Sequence, residues 1–316
     1  MVRGVNIKIT GKSGISQART RIGAEPLRHL YDQHVHPIAS RKTKGAWYDG
    51  KRLVSIDGST FDVPDERANR KAFGGPTTFN DASPFPQIRF VCLAELGTRV
   101  LFAAEMAEYR VGEVALGHKV IENLEADMLC LADRGFFSRD LWQKARKTGA
   151  DLLWRVRADI SLPVEKVLSD GSYMSSLSTY RSKREKEKPI PVRVIEYRID
   201  GVDGKKAETY RLATSLLKPA DAPAEELAQL YQQRWEIETA FDELKTHLRG
   251  ARICLRSKTP ELVRQEFYGL LLAHFTVRGL MHEAAIKAGV DPDILSFTHS
   301  LRVIRRKLPL VASVSP

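Results

Sequence analysis

The sequence predicts an α/β protein in which helices flank a mixed β-sheet. Over residues 51–157, apolar runs typical of strands alternate with helix-forming stretches in the order strand, strand, strand, helix, strand, helix, strand. Residues 158–211 are again rich in strand formers, and a helix-forming stretch follows Pro223. Because 43% of the 316 residues are hydrophobic and 28% are charged, the chain can bury a large core.

The net charge of +11 favours a polyanionic partner, and nucleic acid is a better candidate than a membrane surface. The most apolar stretch, FYGLLLAHFTVRGLM, is too short to span a bilayer and indicates a core helix. Three cysteines without CxxC spacing favour a reducing compartment over a disulfide-stabilised scaffold. We therefore expect a nucleic-acid-binding protein without a membrane segment.

The first 50 residues are basic and indicate a helix from Ser16 to Asp32, interrupted near Gly23. The first predicted strand runs from Lys51 to Asp57, where an Asp-Gly pair closes an apolar run. This places Asp57 at a strand end. An aspartate before glycine is also common in ordinary turns, which is the alternative interpretation.

Six elements follow the first strand. They are predicted as strands 87–95 and 99–105, helix 111–124, strand 127–133, helix 138–147 and strand 151–156. The strand over 127–133 ends in Asp133. Two predicted strands therefore end in an aspartate.

Residues 158–211 are predicted to form a β-rich insertion that projects from the sheet edge. Residues 192–200 alternate as in a strand, Asp203-Gly204 is typical of a hairpin turn, and 207–214 forms the returning strand. The mixed charge run over 181–188 is typical of a solvated loop, with DNA contact as the alternative.

The stretch from Tyr231 to Lys245 is rich in helix formers and lacks glycine and proline. On a regular helix Tyr231, Arg234, Glu238 and Lys245 fall on one stripe roughly 60° wide. This stripe combines a carboxylate with a phenol and two cations. A surface helix with an Arg-Glu pair one turn apart is the alternative interpretation.

Several residues near this helix have two open interpretations. Arg256 and Lys258 either contact phosphates or belong to the loop before a helix predicted over 260–285. Trp235 is assigned to the core, with stacking on a base as the alternative. Asp242 is the alternative to Glu238, since it lies one turn further along the helix.

The pattern Y-x2-R-x3-E-x6-K formed by these four residues resembles the signature of the DDE transposases of the insertion-sequence-four family. Asp57-Gly58 and Asp133-Arg134-Gly135-Phe136 match the first two acidic motifs of that family in residue type and place. The resemblance covers roughly residues 10–305. It implies a ribonuclease-H-like mixed sheet flanked by helices, with a β-rich insertion before the last catalytic helix.

The resemblance also implies the chemistry. Asp57, Asp133 and Glu238 would be the catalytic carboxylates and would hold two Mg²⁺ (or Mn²⁺) ions, with Asp57 bridging them. The reaction would be DNA cleavage and strand transfer. Tyr231, Arg234 and Lys245 would grip phosphates, and Arg256 and Lys258 are further candidates for DNA contact.

The partners implied are transposon ends and target DNA, bound by a homodimer in the bacterial cytoplasm at the nucleoid. In relatives, an aromatic residue of the insertion stacks on a flipped base. Tyr173 and Tyr180 are the candidates for that position in this chain.

We expect five regions along the chain. They are a basic helical segment (1–50), the first part of the core (51–157), the insertion (158–211), the second part of the core with the catalytic helix (212–285) and a basic tail (286–316). Two alternative functions are considered. One is a truncated, non-mobile transposase remnant that only binds DNA, and the other is a ribonuclease-H-like nuclease of another class, in which the basic residues around Glu238 have no role.

Overall fold

A computed structural model describes residues 12–76, 85–177, 188–199, 208–250 and 254–312. The strands are β1 (Trp47–Tyr48), β2 (Lys51–Asp62), β3 (Gln87–Glu95), β4 (Val100–Glu108), β5 (Met128–Ala132), β6 (Asp151–Arg155), β7 (Lys166–Val167), β8 (Tyr173–Leu177), β9 (Ile190–Ile199) and β10 (Glu208–Thr214). The α-helices are α1 (Lys12–Ile22), α2 (Glu25–His34), α3 (Arg67–Phe73), α4 (Glu113–Val120), α5 (Arg139–Lys147), α6 (Ala224–Tyr231), α7 (Glu236–Asp242), α8 (Pro260–Ala288) and α9 (Phe297–Ala312).

The described strands form one mixed sheet in the order β4-β3-β2-β5-β6-β10-β9-β8-β7, with β1 paired to β2. Strand β2 is antiparallel to β3 and parallel to β5, and β6 is parallel to β5. All five residues of β5 are buried, as expected of a parallel strand covered on both faces. The ribonuclease-H-like mixed sheet flanked by helices is therefore confirmed.

Hydrophobic clusters cover both faces of this sheet. One is centred on aromatic side chains such as Phe90, Trp142 and Phe267. The other joins leucines of the central strands to α6 through Leu227 and Tyr231. Burial of large side chains on each face gives the stabilisation that fixes the helices around the sheet.

The prediction that the first strand ends at Asp57 is wrong. Strand β2 continues to Asp62, and Gly58 pairs with Val91 of β3. What ends at this point is the parallel ladder, whose last pair joins Ile56 to Ala132. Asp57 and Asp133 therefore each follow the last paired residue, and lie at the same edge of the β2-β5 ladder.

Most other predicted elements lie within a few residues of the observed ones. The N-terminal helix is broken as predicted, because Gly23 adopts a left-handed backbone with φ of 73° between α1 and α2. Helix α8 begins at the predicted residue, with the Thr259 side chain accepting a hydrogen bond from the backbone of Leu262. No helix among the described residues is both long and apolar enough to cross a membrane.

The described part of the insertion is strand-rich, as predicted, but it does not form a sheet of its own. Its last strand, β10, pairs with β6, so the insertion strands extend the core sheet. The predicted Asp203-Gly204 hairpin, Tyr180 and all but the last residue of the charge run 181–188 lie outside the described residues. The division of the chain into five regions stays a prediction.

Candidate active site

The predicted catalytic helix is present, but its backbone is not regular. Helix α6 runs into a 3-10 turn (Gln232–Trp235), and α7 runs into a π-helical turn (Glu243–His247). Such turns rotate the following side chains relative to a regular α-helix, and π turns are frequent at functional sites. Along this segment Tyr231 and Arg234 are buried, whereas Glu238 and Lys245 are partly exposed.

Arg234 joins two of the predicted catalytic carboxylates. Its Nη1 lies 3.1 Å from Asp57 Oδ2 and its Nη2 lies 2.9 Å from Glu238 Oε1, and its side chain is only 8% exposed. The planar guanidinium suits such two-sided binding, because its donors are held in a fixed fork. The Arg-Glu pair expected on a surface helix exists, but Asp57 extends it into a three-residue contact around a buried guanidinium.

The Asp57 carboxyl has an unusual pKa. Burial raises it to about 6, although the Gly58 N–H and Arg234 act in the opposite direction, and Glu238 and Glu113 raise it further. The Gly58 N–H donates to Asp57 Oδ1 over 2.8 Å. A nearby cation would stabilise the charged form of this carboxyl and so lower its pKa.

Glu113, the first residue of α4, was missed by the sequence analysis. Its carboxyl group fits against Gly58, where an added Cβ would lie only 2.7 Å from Glu113 Cδ. Glu113 also raises the pKa of Asp57 through its charge. No local pattern marks Glu113, because it approaches Asp57 only through the packing of α4 against the sheet.

Asp133 lies directly after β5 and acts electrostatically on Arg234 and Tyr231. Tyr231 is 4% exposed, and its hydroxyl donates to the carbonyl oxygen of Ala132 over 3.2 Å. Burial raises the pKa of Tyr231 well above its ordinary value. In this structure Tyr231 therefore fastens the helical segment to the end of β5.

Lys245 and Glu238 share an open cleft of about 400 Å³ with Asp57. Lys245 Nζ donates to Ser59 Oγ over 3.0 Å, and burial lowers the pKa of Lys245. Asp242 lies in the same cleft but is exposed and pairs with His247 at 3.2 Å. The cleft is lined by Asp57, Gly58, Ser59, Glu238, Phe241, Asp242, Lys245 and Thr246.

The donor types at this site fit a hard divalent cation, since Asp57, Asp133 and Glu238 offer only oxygen ligands. Asp57 and Glu238 are brought onto one guanidinium. Among the described residues, however, no group of three or more His, Cys, Asp or Glu side chains is arranged to hold a metal ion. The convergence of all three carboxylates on a metal stays a prediction.

The remaining predicted DNA-binding residues lie outside the cleft. Arg256 is exposed, and Lys258 Nζ pairs with an exposed Glu66 carboxylate at 3.1 Å. Trp235 is 60% exposed, so its assignment to the core is wrong. It lies on the 3-10 turn, and its ring packs 5.3 Å from the guanidinium carbon of Arg234.

The candidate base-stacking residue Tyr173 is buried, and its hydroxyl donates to Glu196 over 2.8 Å. This places it in the interior of the β8-β9 pair. The structure thus gives no accessible ring at this position.

Comparison with known proteins shows the family of the chain. Residues 48–276 match the family described as the transposase DDE domain. The transposase InsG for insertion sequence element IS4 of Escherichia coli K12 is 30% identical over 314 residues, which is 98% of this chain and 70% of InsG. The putative transposase InsZ of the same strain is 31% identical over 168 residues, or 50% of this chain and 56% of InsZ.

Among solved structures, a piggyBac transposase synaptic complex with hairpin DNA aligns with 93% of this chain and 58% of its own, at 13% identity and a TM-score of 0.49. The matches in sequence cover the strands that carry Asp57 and Asp133 and the helical segment that carries Glu238. The chain belongs to the insertion-sequence-four family of DDE transposases.

Proposed function

We propose that this chain catalyses the cleavage and strand transfer of DNA at transposon ends through Asp57, Asp133 and Glu238. The observation that carries the proposal is the contact of one buried guanidinium, that of Arg234, with both Asp57 and Glu238. These two residues are far apart in sequence and meet on one side chain. Their meeting beside an open cleft supports an active site.

Asp57, Asp133 and Glu238 are proposed to be the residues that would hold two Mg²⁺ (or Mn²⁺) ions. Bound there, the ions would stabilise the charge on the attacking and leaving oxygens of the phosphodiester. The residues of the chain supply the rest. Asp57 is partly desolvated and has a raised pKa, so cation binding would favour its ionised form.

Phosphate contact is assigned first to Lys245, which reaches into the cleft, and next to the exposed Arg256 and Lys258. Such contacts position DNA without reading its sequence. The burial of Tyr231 and Arg234 favours a role in holding the acidic residues over the direct phosphate contact that their motif predicts.

The partner in this proposal is DNA, both as transposon end and as target, bound by a homodimer in the cytoplasm at the nucleoid. The net charge of +11 supports a DNA partner. The match to InsG over nearly the whole chain favours a transposase over a nuclease of another class.

The test is DNA cleavage with a supercoiled plasmid that carries the DNA flanking this coding sequence on both sides. Asp57→Asn, Asp133→Asn and Glu238→Gln should each lower Mg²⁺-dependent cleavage by more than about 10²-fold, since even residues that only support metal ligands contribute 10–100-fold. The control is Asp242→Asn, an exposed carboxylate in the same cleft, which should cleave at close to the wild-type rate. Full activity of Asp133→Asn would overturn the assignment of the triad.

A further inference from the structure

The segment that carries Glu238 has a second set of charged residues on its opposite face. Glu236 and Glu243 are seven residues apart, as are Glu238 and Lys245, but they point towards the protein interior. Glu243 is 4% exposed. Neither carboxylate lines the cleft.

Glu243 is held by two residues of α8. Arg278 Nε donates to Glu243 Oε2 over 2.8 Å and Arg278 Nη2 contacts Oε1, which completes a two-pronged contact. His274 Nε2 lies 3.2 Å from Oε2. Arg278 is 1% and His274 is 0% exposed. A buried fork of this kind fixes the direction of the carboxylate as well as its position.

Arg99, in the turn between β3 and β4, extends this cluster. Its guanidinium lies 3.7 Å from Glu243, 3.8 Å from Glu236 and 3.0 Å from Asp293. Arg99 adopts a left-handed backbone with φ of 58°, which is uncommon for a residue other than glycine. Glu236 also accepts a hydrogen bond of 2.7 Å from the N–H of Gly97. The β3-β4 turn thus holds the segment at two successive points.

Glu243 lies at a special position in the backbone of the segment. Glu243 begins the π turn, and its carbonyl accepts the N–H of Leu248, five residues on, over 2.8 Å. Lys245 lies within that turn, and Glu238 lies one helical turn before it. Glu243 therefore lies in the chain between Glu238 and Lys245, which both line the cleft.

A stabilising role alone does not explain such a cluster. Buried ion pairs seldom add stability over apolar residues of similar size, because removing charges from water is costly. What the fork does provide is a defined orientation. We propose that Glu243, gripped by Arg278, is a positioning residue that holds the catalytic segment in the rotation at which Glu238 and Lys245 face Asp57. This inference rests on the proposed function.

The test replaces the pair by apolar residues. In Glu243→Leu, Arg278 is left buried without its partner, so this variant should unfold at a lower temperature. In Glu243→Leu/Arg278→Met both charges are gone, and the unfolding temperature should return close to that of the wild type. If the pair only stabilises the fold, function should return as well.

We expect function not to return. With Mn²⁺ as the probe, measured by the electron paramagnetic resonance signal of the free ion, the double variant should bind about 10–100-fold more weakly than the wild type. Its kcat for plasmid cleavage should fall by a similar factor while KM for DNA changes little. Arg28→Met/Glu105→Leu, which removes an ion pair of 2.9 Å between α2 and β4 outside the cleft, is the control and should bind Mn²⁺ normally.

Wild-type Mn²⁺ binding and cleavage in the stable double variant would overturn the inference and leave the proposed function intact. Should the double variant not fold, Glu243→Gln takes its place, since it keeps the shape but lacks the charge that grips the fork. It should bind Mn²⁺ at least about 10-fold more weakly, and unchanged binding would overturn the inference. If wild-type Mn²⁺ binding does not depend on Asp57, the proposed function fails, and the inference fails with it.

Discussion

The hydroxyl of Tyr231 donates to the carbonyl oxygen of Ala132, the residue immediately before Asp133. This hydrogen bond joins the start of the segment that carries Glu238 to the strand end that precedes Asp133. Arg234, three residues further, then contacts Asp57 at the neighbouring strand. Two side chains of one family motif thus bind the protein itself: Tyr231 next to Asp133, and Arg234 at Asp57 and Glu238.

Arg234→Lys should destabilise the protein by about 1–3 kcal/mol. The guanidinium of Arg234 donates to the carboxylates of both Asp57 and Glu238, and a lysine ammonium cannot replace this fork. Urea unfolding at pH 7 measures this loss. The control is Arg41→Lys, an exposed residue that donates to a backbone carbonyl, with an expected change within about 0.5 kcal/mol. Equal stability of Arg234→Lys and the wild type would show that the fork is not needed.

The affinity for Mn²⁺ should rise with pH as Asp57 loses its proton, with most of the change around pH 6. A plateau should follow above about pH 7, and Asp57→Asn should remove the pH-dependent part. Titration with Mn²⁺ between pH 5 and 8 tests this. An affinity that does not vary across this range would contradict the raised pKa.

The raised pKa of Asp57 also determines how the stability of the protein changes with pH. Because burial raises the pKa of Asp57 from 3.8 to about 6, the contribution of this group is fully present below its unfolded pKa and is lost as pH rises through about 6. Glu236, whose pKa burial raises to about 7, has the same sign. Without a divalent cation, these two groups should therefore lower the free energy of unfolding progressively as the pH rises from about 4 to 7.

Lys245→Ala should weaken DNA binding and reduce the slope of log affinity against log salt by about one unit, as expected for the loss of one phosphate contact. Fluorescence anisotropy between 50 and 200 mM salt, roughly the range over which such slopes are resolved, gives both quantities. Lys287→Ala is the matched control, because Lys287 is exposed and pairs with Glu283 away from the cleft. If the two variants behave alike, the cleft is not a DNA site.

The sequence predicts much of the fold because apolar runs carry the pattern directly. Strand β3 was predicted with its observed bounds, and the burial of Trp154 and of the strand before Asp133 follows from their apolar surroundings. The Asp-Gly pair at Asp57 predicts a strand end, but β2 goes on pairing with β3 to Asp62, and such long-range pairing is not visible in the local sequence.

The site is predicted only in part, since its contacts depend on residues far apart in the chain. Arg234 and Asp57 are 177 positions apart, and nothing local distinguishes a buried arginine from one that faces DNA. Trp235 is exposed and lies on a 3-10 turn, which directs side chains differently from an α-helix. A prediction based on α-helical periodicity does not include this turn. The motif predicts which residues of the segment act together and leaves their environments open, and their roles stay predictions.

The pairing of β10 with β6 has a mechanical consequence. Five strand-to-strand steps separate β2 from β8, so at about 4.8 Å per step the outer part of the insertion lies roughly 24 Å from Asp57 across the sheet. Backbone hydrogen bonds, rather than a linker, fix this interval. The insertion therefore lies at a fixed distance from the cleft. It cannot move away as a unit without breaking the pairing of Leu212, Ala213 and Thr214 with β6.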